Sequence, residues 1–281
     1  MKKVTSIKEM QKIIKDFQRE GRSIGLIPTM GYLHEGHLTL AKKARLENDI
    51  VVMSVFVNPL QFGEEEDLAT YPRDLERDMQ LAAEVKVDYL FHPTAEEMYP
   101  QMQEITMNVG ARTERLCGAS RPGHFDGVVV VVSKLFNIIQ PERAYFGKKD
   151  AQQFAVIDLL VKNFNFPIEL VAVDTVRESD GLAKSSRNVH LTAGERKEAT
   201  VLFASLQAAE AIITEGEKNP SRIIDVMKTM LNEKISGEID YVEILSYPEL
   251  QPIEEVGGVI IIALAVKFSK ARLIDNIIIT A

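Results

Sequence analysis

The sequence of 281 residues predicts an α/β protein, with a doubly wound parallel sheet followed by a second, smaller α+β domain. In the N-terminal part, apolar strand-like runs alternate with stretches of helical length, which is typical of parallel sheets. One run, Asp49–Val57 (DIVVMSVFV), is nearly all apolar, like strands that are covered on both faces. After Arg177, two helical stretches precede three strand-like ones, which indicates a separate antiparallel unit.

Hydrophobic periodicity and turn residues predict the elements of the first domain in order. In Ile7–Arg19, for example, apolar residues recur at helical spacing. The predicted helices are Ile7–Arg19, His37–Asn48, Leu75–Val85 and Asp150–Asn163, and the predicted strands are Ser23–Pro28, Asp49–Val57, Tyr89–His92, Arg143–Phe146 and Ile168–Val173.

Gly127–Ile139 (GVVVVVSKLFNII) is ambiguous. Its β-branched residues favour a strand, whereas its length favours a buried helix. Further on, Thr192 and Glu195 form a capping box that opens a predicted long helix, Thr192–Glu215. The remaining predicted elements are a helix at Ser221–Lys234 and strands at Ile239–Leu245, Val259–Phe268 and Ala271–Ile279. We therefore predict two domains, residues 1–176 and 177–281.

Composition narrows the functional class. The net charge is −8, and an acidic surface repels phosphate backbones, so we expect no nucleic acid partner. The longest apolar run, Val259–Val266, is far shorter than the roughly 20 residues of a membrane helix, so we expect no membrane partner. The single cysteine, Cys117, suits a reducing compartment. We expect a soluble cytoplasmic protein.

The segment Pro28–His37 (PTMGYLHEGH) follows a predicted strand and leads into a helix. Backbone N–H groups at such a glycine-containing turn can meet phosphate oxygens. Gly36 removes a side chain between His34 and His37 and allows a bulky anion to approach. The two histidines share one face if the helix has already begun. Their imidazoles can donate hydrogen bonds to a polyphosphate in its transition state.

Two other interpretations of these histidines stay open. They could bind zinc, but the metalloprotease pattern needs a four-residue spacing, and the sequence has no second cluster of His and Cys. They could also be ordinary surface residues. The chain has only 5 histidines, and two of them beside a glycine at a strand end favour the phosphate site.

Two segments offer groups for an organic substrate. Phe56–Phe62 (FVNPLQF) lies at the carboxyl end of an apolar strand, where parallel sheets bind ligands. Its Asn58 and Gln61 both donate and accept hydrogen bonds, which suits a hydroxy acid, although Asn-Pro is also a common turn. Arg121–Gly127 (RPGHFDG) offers a guanidinium and an imidazole, and it either binds a ligand or merely joins two elements.

A lysine pair follows the strand before the next helix, in the segment FGKKDAQQ. Lys148 and Lys149 can neutralise a phosphate there, and Asp150 is a good N-cap. Gln152 and Gln153 are predicted to project from the first helical turn toward the strand ends. A cap with chance lysines is the alternative.

A second cationic segment, Arg177–Asn188 (RESDGLAKSSRN), contains two cations and two hydroxyls in Lys184–Arg187. That composition on a glycine-containing loop fits a mobile clamp over a triphosphate. A solvated loop is the alternative.

Together these strings resemble a known family. The histidine–x–Gly–histidine turn with a late Lys-Ser-Ser-Arg loop is similar to the signatures of class I aminoacyl-tRNA synthetases and nucleotidylyltransferases. The longer strings narrow the match to the pantoate–β-alanine ligase family, from about Ile24 to Asn276. They are PTMGYLHEGH, FVNPLQF, YPRDLERD, RPGHFDGV, KLFNI, YFGKKDAQQ, VRESDGLAKSSRN and KFSKARLIDN.

The resemblance implies a ligase that uses ATP and (R)-pantoate to form pantoyl adenylate and pyrophosphate. The amine of β-alanine would then attack the acyl carbon, which gives pantothenate and AMP. The resemblance also implies Mg²⁺ with the ATP, a homodimer, and a Rossmann-like N-terminal domain with a smaller C-terminal domain that acts partly as a lid. Under it, Gly127–Ile139 is a helix.

The resemblance also implies site residues. His37 matches the proton donor of the family, and our physical interpretation is that His34 and His37 stabilise charge on the departing phosphates. Lys149 and Arg187 are the other expected catalytic groups. The residues matched to ATP binding are Met30, Gly31, Tyr32, Leu33, His34, Glu35, Gly36, His37, Gly147, Lys148, Lys149, Asp150, Val176, Lys184, Ser185, Ser186 and Arg187.

On the substrate side, Gln61 and Gln153 match pantoate contacts, with Gln61 also near β-alanine and Asn58 beside it. Asp78 is expected to help hold Mg²⁺. Three positions depart from the family pattern: Lys184 replaces a common Met, His190 a usual Tyr, and Val131 a usual Thr. An added cation at Lys184 should not harm phosphate binding.

Two other functions remain as alternatives at this point. A nucleotidylyltransferase that acts on a phosphorylated acceptor would share the two histidines and leave β-alanine unused. A non-catalytic nucleotide-binding module is the second alternative, because a fold does not fix a function.

Overall fold

The computed structural model describes residues 1–63 and 68–281. Over these residues the chain forms two compact units, one with a six-stranded parallel sheet and one with a three-stranded antiparallel sheet. The predicted fold class is confirmed. The units are discontinuous in sequence, whereas the predicted domains are continuous, and the boundary at residue 176 stays a prediction. Unit 1 comprises Met1–Val109, Arg121–Lys148 and Val156–Asp174, and unit 2 comprises Gly110–Ser120, Lys149–Ala155 and Thr175–Ala281.

The parallel sheet belongs to unit 1, and most of its elements lie close to their predicted positions. The strand β1 and the short helices α4 and α5 (the last in unit 2) were not predicted. The elements as far as residue 173 are β1 (Lys2–Val4), α1 (Ile7–Arg19), β2 (Ile24–Thr29), α2 (Glu35–Glu47), β3 (Ile50–Val55), α3 (Leu75–Glu84), β4 (Tyr89–Phe91), α4 (Ala95–Met98), α5 (Leu116–Ser120), α6 (His124–Ile139), β5 (Arg143–Gly147), α7 (Ala151–Phe164) and β6 (Glu169–Val173).

The order of the strands explains where a site forms. Among the described residues the sheet runs β1-β4-β3-β2-β5-β6, and all neighbouring pairs are parallel. The chain therefore leaves β2 in one direction and returns to its other side at β5. Open α/β sheets bind ligands in the crevice at such a reversal, at the carboxyl ends of the strands. Here the reversal lies between β2, which ends at Thr29, and β5, which ends at Gly147.

Helix α6 shows that the strand propensity of Gly127–Ile139 was misleading, and that the helix implied by the family resemblance is correct. Of its 16 residues, 11 are buried. A valine costs a helix less than about 0.7 kcal/mol in propensity, whereas burying one large apolar side chain stabilises by about 1.5–3 kcal/mol. Packing on most of its faces therefore overrides local preference.

Unit 2 confirms the predicted antiparallel sheet, but the single helix predicted at Thr192–Glu215 is wrong. The chain forms two helices with a break at Ala199, whose ψ is −20°. The predicted capping box of Thr192 and Glu195 is present. None of the helices in the described part of the chain is long and apolar enough to cross a membrane. The elements are α8 (Ala193–Glu198), α9 (Thr200–Thr214), α10 (Pro220–Lys234), β7 (Glu238–Ser246), β8 (Val259–Lys267) and β9 (Arg272–Thr280).

Candidate active site

The two histidines of the PTMGYLHEGH segment lie together at the start of α2. His34 is the N-cap, so the helix begins one residue after it, at Glu35. The ring centroids of His34 and His37 are 4.0 Å apart and the rings are tilted by 31°. A Cβ on Gly36 would lie 2.8 Å from Cε1 of His34, which explains why a glycine separates the histidines.

The main chain selects the tautomer of both rings. The N–H of Gly36 donates to Nδ1 of His34 at 3.1 Å, and the N–H of His34 donates to Nδ1 of His37 at 3.3 Å. A nitrogen that accepts a hydrogen bond carries no proton. These two contacts place the proton of each ring on Nε2.

We call Met30–His37 the histidine turn, and helix α3 braces it. Asp78 on α3 is 1% exposed, and its Oδ2 and Oδ1 accept the N–H groups of Tyr32 and Leu33 at 2.7 and 2.6 Å. Arg77 donates to the carbonyl of Leu33 at 2.9 Å, and its guanidinium lies 5.2 Å from the Tyr32 ring centroid. Tyr32 itself has a positive φ of 49°, a conformation that needs such support.

Asp78 was predicted to help hold Mg²⁺. Burial raises the pKa of its carboxyl, while the hydrogen bonds from the Leu33 and Tyr32 amides oppose that shift. Both oxygens are already bound to the main chain, so the geometry favours a bracing role. Within residues 1–63 and 68–281, no group of three or more His, Cys, Asp and Glu side chains is placed to hold a metal ion. The magnesium role of Asp78 stays a prediction that this geometry does not favour.

A buried amide network lies after β3. Asn58 and Gln61 are 1% and 6% exposed, and Nδ2 of Asn58 donates to Oε1 of Gln61 at 3.2 Å. Nε2 of Gln61 lies 3.1 Å from the sulfur of Met30, so this network reaches the histidine turn. The hydroxyl of Tyr99 donates to Oδ1 of Asn58 at 2.8 Å, and burial raises its pKa. No sequence motif marks Tyr99, so sequence reasoning missed it.

The two lysines after β5 differ in their partners. Lys148, in unit 1, has its ammonium 2.7 Å from the carboxylate of Asp174. Lys149, in unit 2, has an 18% exposed side chain whose ammonium is 3.8 Å from Asp150. The carbonyl of Lys149 accepts a hydrogen bond from Asn276 on β9 at 2.8 Å. Lys149 is thus anchored through its backbone, and its ammonium forms a longer ion pair than that of Lys148.

The paired glutamines of the FGKKDAQQ segment separate. Gln153 is half-buried on the first turn of α7. Gln152 was predicted to project toward the strand ends, but it is buried inside unit 2 instead. Its Nε2 donates to the carbonyls of Arg112 and Arg115 at 2.9 and 2.8 Å. Gln152 therefore supports the local fold.

We call Val176–Arg187 the cationic loop, and side-chain charges hold it. Arg177 forms two hydrogen bonds to Asp275 of β9, at 2.6 and 2.9 Å, and its guanidinium lies 3.7 Å from the Phe203 ring centroid. The ammonium of Lys184 is 3.6 Å from the Glu178 carboxylate. Asp275 and Asn276 of β9 thus anchor two predicted ATP segments, and no motif reasoning had assigned either of them a role.

The Lys-Ser-Ser-Arg string lies where this loop turns into a short 3₁₀ helix, Ser186–His190. The hydroxyl of Ser185 accepts the N–H of Arg187 at 3.3 Å. His190 is half-buried at the end of that helix, and Val131 is buried in α6. The structure gives no chemical reason for these two departures from the family pattern.

The predicted residues fall into two sets. Unit 1 brings together the histidine turn, Asn58 and Gln61, and it also carries Gly147 and Lys148. Unit 2 carries Lys149, Asp150, Gln153 and the cationic loop. The first set offers neutral donors and amides, and the second set offers most of the cations.

Comparison with known proteins gives one consistent result. A family described as Pantoate-beta-alanine ligase matches residues 2–278. Pantothenate synthetase of Bacillus subtilis (strain 168) is 58% identical over 279 residues, which cover 99% of this chain and 97% of the relative.

Solved structures agree. The crystal structure of pantothenate synthetase from Thermus thermophilus has a TM-score of 0.93 and 44% identity, with 99% of each chain covered. The pantoate-β-alanine ligase of Francisella tularensis, solved with β-γ ATP and β-alanine, has a TM-score of 0.81 and 33% identity, with 99% of this chain and 97% of that chain covered. The resemblance seen in the sequence is confirmed, and the chain belongs to the pantoate–β-alanine ligase family.

Proposed function

We propose that this chain joins (R)-pantoate to β-alanine in two steps driven by ATP. A carboxylate oxygen of pantoate attacks the α-phosphate of ATP, which forms pantoyl adenylate and releases pyrophosphate. The amine of β-alanine then attacks the acyl carbon, and the bond to AMP breaks as the amide forms. The chain is a C–N ligase that produces AMP. Its family membership and the Francisella relative with β-γ ATP and β-alanine support this function.

The histidine pair is the observation that carries the chemical part of the proposal. Because the main chain occupies Nδ1 of His34 and His37, each ring offers an Nε2–H. Both donors lie at the carboxyl end of β2, beside the strand-order reversal. Donors that are fixed before the reaction stabilise charge as it develops on a phosphate. The pair would act on the departing pyrophosphate, and neither ring needs to be protonated first.

The amide network is proposed to bind pantoate. Gln61 has its amide oxygen held by Asn58, so its NH₂ group keeps one orientation toward Met30. An oriented NH₂ group can donate to the carboxylate or hydroxyl oxygens of a hydroxy acid. Gln153 is proposed to supply the second pantoate contact, with Gln61 also near β-alanine.

The triphosphate is proposed to meet the cations of unit 2. Lys149 is preferred over Lys148 because Lys148 already pairs closely with Asp174. Arg187 and Lys184 add charge, and Val176 is proposed to contact the adenine through its backbone. The remaining proposed ATP contacts are Met30, Gly31, Tyr32, Leu33, Glu35, Gly36, Gly147, Asp150, Ser185 and Ser186.

Mg²⁺ is proposed to enter with ATP. This ion usually keeps several waters and binds substrate phosphates together with one or two carboxylates. Since both oxygens of Asp78 accept main-chain N–H groups, the triphosphate and water, rather than Asp78, would supply most of the ligands of the ion. We also propose a cytoplasmic location, which the single cysteine supports, and a homodimer, which the family resemblance supports.

A product assay tests the function. The enzyme is incubated with ATP, Mg²⁺ and pantoate, with and without β-alanine, and the products are separated by chromatography. AMP and pyrophosphate should appear only with pantoate, and pantothenate only when β-alanine is added. ADP as the product would contradict the proposal, and so would a stable adenylylated product that ignores β-alanine.

A further inference from the structure

We propose that His124, supported by Arg121, is a positioning residue that fixes Gln61 for pantoate binding. The inference rests on the proposed function, because it assumes that Gln61 contacts pantoate. It gives the RPGHFDG segment a specific task, although the sequence alone left that segment open between a ligand site and a plain connection.

The contacts join residues that are distant in sequence. Nδ1 of His124 lies 2.7 Å from the carbonyl oxygen of Gln61. Nη1 of Arg121 lies 3.0 Å from Nε2 of the same ring, and Nη2 donates to the Gln61 carbonyl at 3.5 Å. His124 is 9% exposed, so the carbonyl and the imidazole meet where water competes little.

These partners define one tautomer. A carbonyl oxygen only accepts, so Nδ1 of His124 carries the proton. A guanidinium only donates, so Nε2 of His124 carries the lone pair. The ring is therefore neutral, with its proton on the nitrogen opposite to that of His34 and His37. In this form Nε2 accepts a hydrogen bond from Arg121 while Nδ1–H donates one to the carbonyl of Gln61.

Backbone packing supports the same arrangement. A Cβ on Gly127 would lie 2.2 Å from the carbonyl oxygen of Leu60 and 2.6 Å from the nitrogen of Gln61. Only glycine allows α6 to pack this closely against the turn. Nδ2 of Asn58 also donates to the carbonyl of Gly127 at 3.0 Å. The first turn of α6 is thus fitted against residues 58–61.

Gln61 is consequently held at two points. Its side-chain oxygen accepts from Asn58, and its main-chain oxygen accepts from His124. Loss of the imidazole would let residues 58–61 move. Even a small displacement of Gln61 would weaken its proposed contact with pantoate. Because ATP is proposed to bind to other groups, the loss should appear in KM for pantoate rather than in KM for ATP.

A matched pair of variants tests the role. In His124→Asn, the amide nitrogen takes the place of Nδ1 and can still donate to the Gln61 carbonyl, whereas the amide oxygen falls near the former Cδ2 and does not replace Nε2 as the acceptor for Arg121. His124→Gln carries the same amide one methylene farther out, beyond the Nδ1 position. We expect KM for pantoate to rise about tenfold in His124→Gln and His124→Ala, the scale of one buried hydrogen bond, and to recover to within about threefold of wild type in His124→Asn. KM for ATP should change by less than about twofold.

A double-mutant cycle shows whether His124 acts through Gln61. In a Gln61→Ala background, His124→Ala should raise KM for pantoate by less than about twofold more. His92→Ala is the matched control, since Nδ1 of His92 also lies 2.7 Å from a main-chain oxygen, that of Val55. It should leave KM for pantoate near wild type. Additive effects in the cycle, or equal effects on ATP and pantoate, would overturn the proposal.

A structural readout separates this inference from the proposed function. The ¹⁵N chemical shifts of His124 at pH 7.5 should show a neutral ring protonated at Nδ1, whether or not pantoate is the substrate. A ring protonated at Nε2, or at both nitrogens, overturns the positioning role. If the wild-type enzyme shows this tautomer but releases no pyrophosphate with pantoate, the proposed function fails and the local geometry stands.

Discussion

The histidine turn of unit 1 and the cationic loop of unit 2 are both proposed to meet ATP, but different bonds hold them. The histidine turn is fixed by main-chain N–H groups that reach a buried carboxylate and two imidazoles. The cationic loop is fixed by a buried ion pair at Arg177 and by partly exposed ion pairs further along. In the loop, Glu178 is shared by Lys184 and Arg196, and the hydrogen bond from Arg196 lowers the pKa of its carboxyl.

The difference fits the two proposed tasks. Bonds to a buried carboxylate are worth about 1.5–3 kcal/mol each, so the histidine turn keeps its donors in place before the reaction. Partly exposed ion pairs contribute only about 0–1 kcal/mol, so Lys184 can exchange Glu178 for a phosphate at little cost. One region supplies fixed geometry, and the other supplies charge that can change partners.

The largest expected effect is at the histidine turn. His37→Ala should lower kcat by about 10²-fold or more, because it removes a preorganised donor. His37→Asn is the sharper variant, since its amide oxygen can still accept the N–H of His34 while Nε2–H is lost. Pyrophosphate release under saturating substrates measures both. If His37→Asn turned over at nearly the wild-type rate, His37 would serve only as a cap.

Removing the brace should come next. Asp78→Ala leaves the N–H groups of Tyr32 and Leu33 without their buried acceptor, so the free energy of unfolding should fall by about 2–4 kcal/mol. Asp74→Ala is the control on the same helix, because Asp74 is an exposed N-cap worth about 1 kcal/mol. Urea denaturation measures both. Equal losses in the two variants would show that Asp78 does not brace the turn.

The cationic loop should respond weakly. Lys184→Met removes an exchangeable cation, so KM for ATP should rise only about two- to fivefold, and less as salt is added. Lys197→Met, which removes an exposed charge from α8, is the control of equal charge. A rise in KM for ATP of about 50-fold would mean that Lys184 is a fixed contact. An unchanged KM would show that Lys184 does not belong to the phosphate site.

The smallest effect concerns the support of unit 2. The carboxylate of Glu195 accepts the N–H groups of Thr192 and Ser269 at 2.8 and 2.7 Å. The backbone hydrogen bond from Thr192, with those from Ser269, lowers its pKa from 4.5 to about 2. A lowered pKa stabilises the fold above about pH 4.5, and this contribution is lost as the pH falls toward 2.

Glu195→Gln keeps a capping-box side chain without the charge. The difference in free energy of unfolding between wild type and this variant should therefore narrow from pH 6 to pH 3. Urea denaturation at several pH values measures it. A difference that stays constant with pH would show that the charge of Glu195 does not support unit 2.

The same contrast shows what sequence reasoning can reach. Helix α1 is found where predicted, because its apolar periodicity is a local property. The histidine pair was also visible, because a glycine and two histidines at a strand end form a short pattern. Asp78 acts 45 and 46 residues away from its partners, and His124 acts 63 residues away from Gln61. Such roles arise only when the chain has folded, so residue patterns left them open.

Isotope exchange between pyrophosphate and ATP tests most directly whether fixed donors and exchangeable cations together activate pantoate. With labelled pyrophosphate, Mg²⁺ and pantoate, but without β-alanine, wild-type enzyme should return label to ATP, because pantoyl adenylate forms reversibly. His37→Asn should lose most of this exchange, while Lys184→Met should keep it at saturating ATP. Exchange that needs no pantoate, or that appears only with β-alanine, would contradict the account.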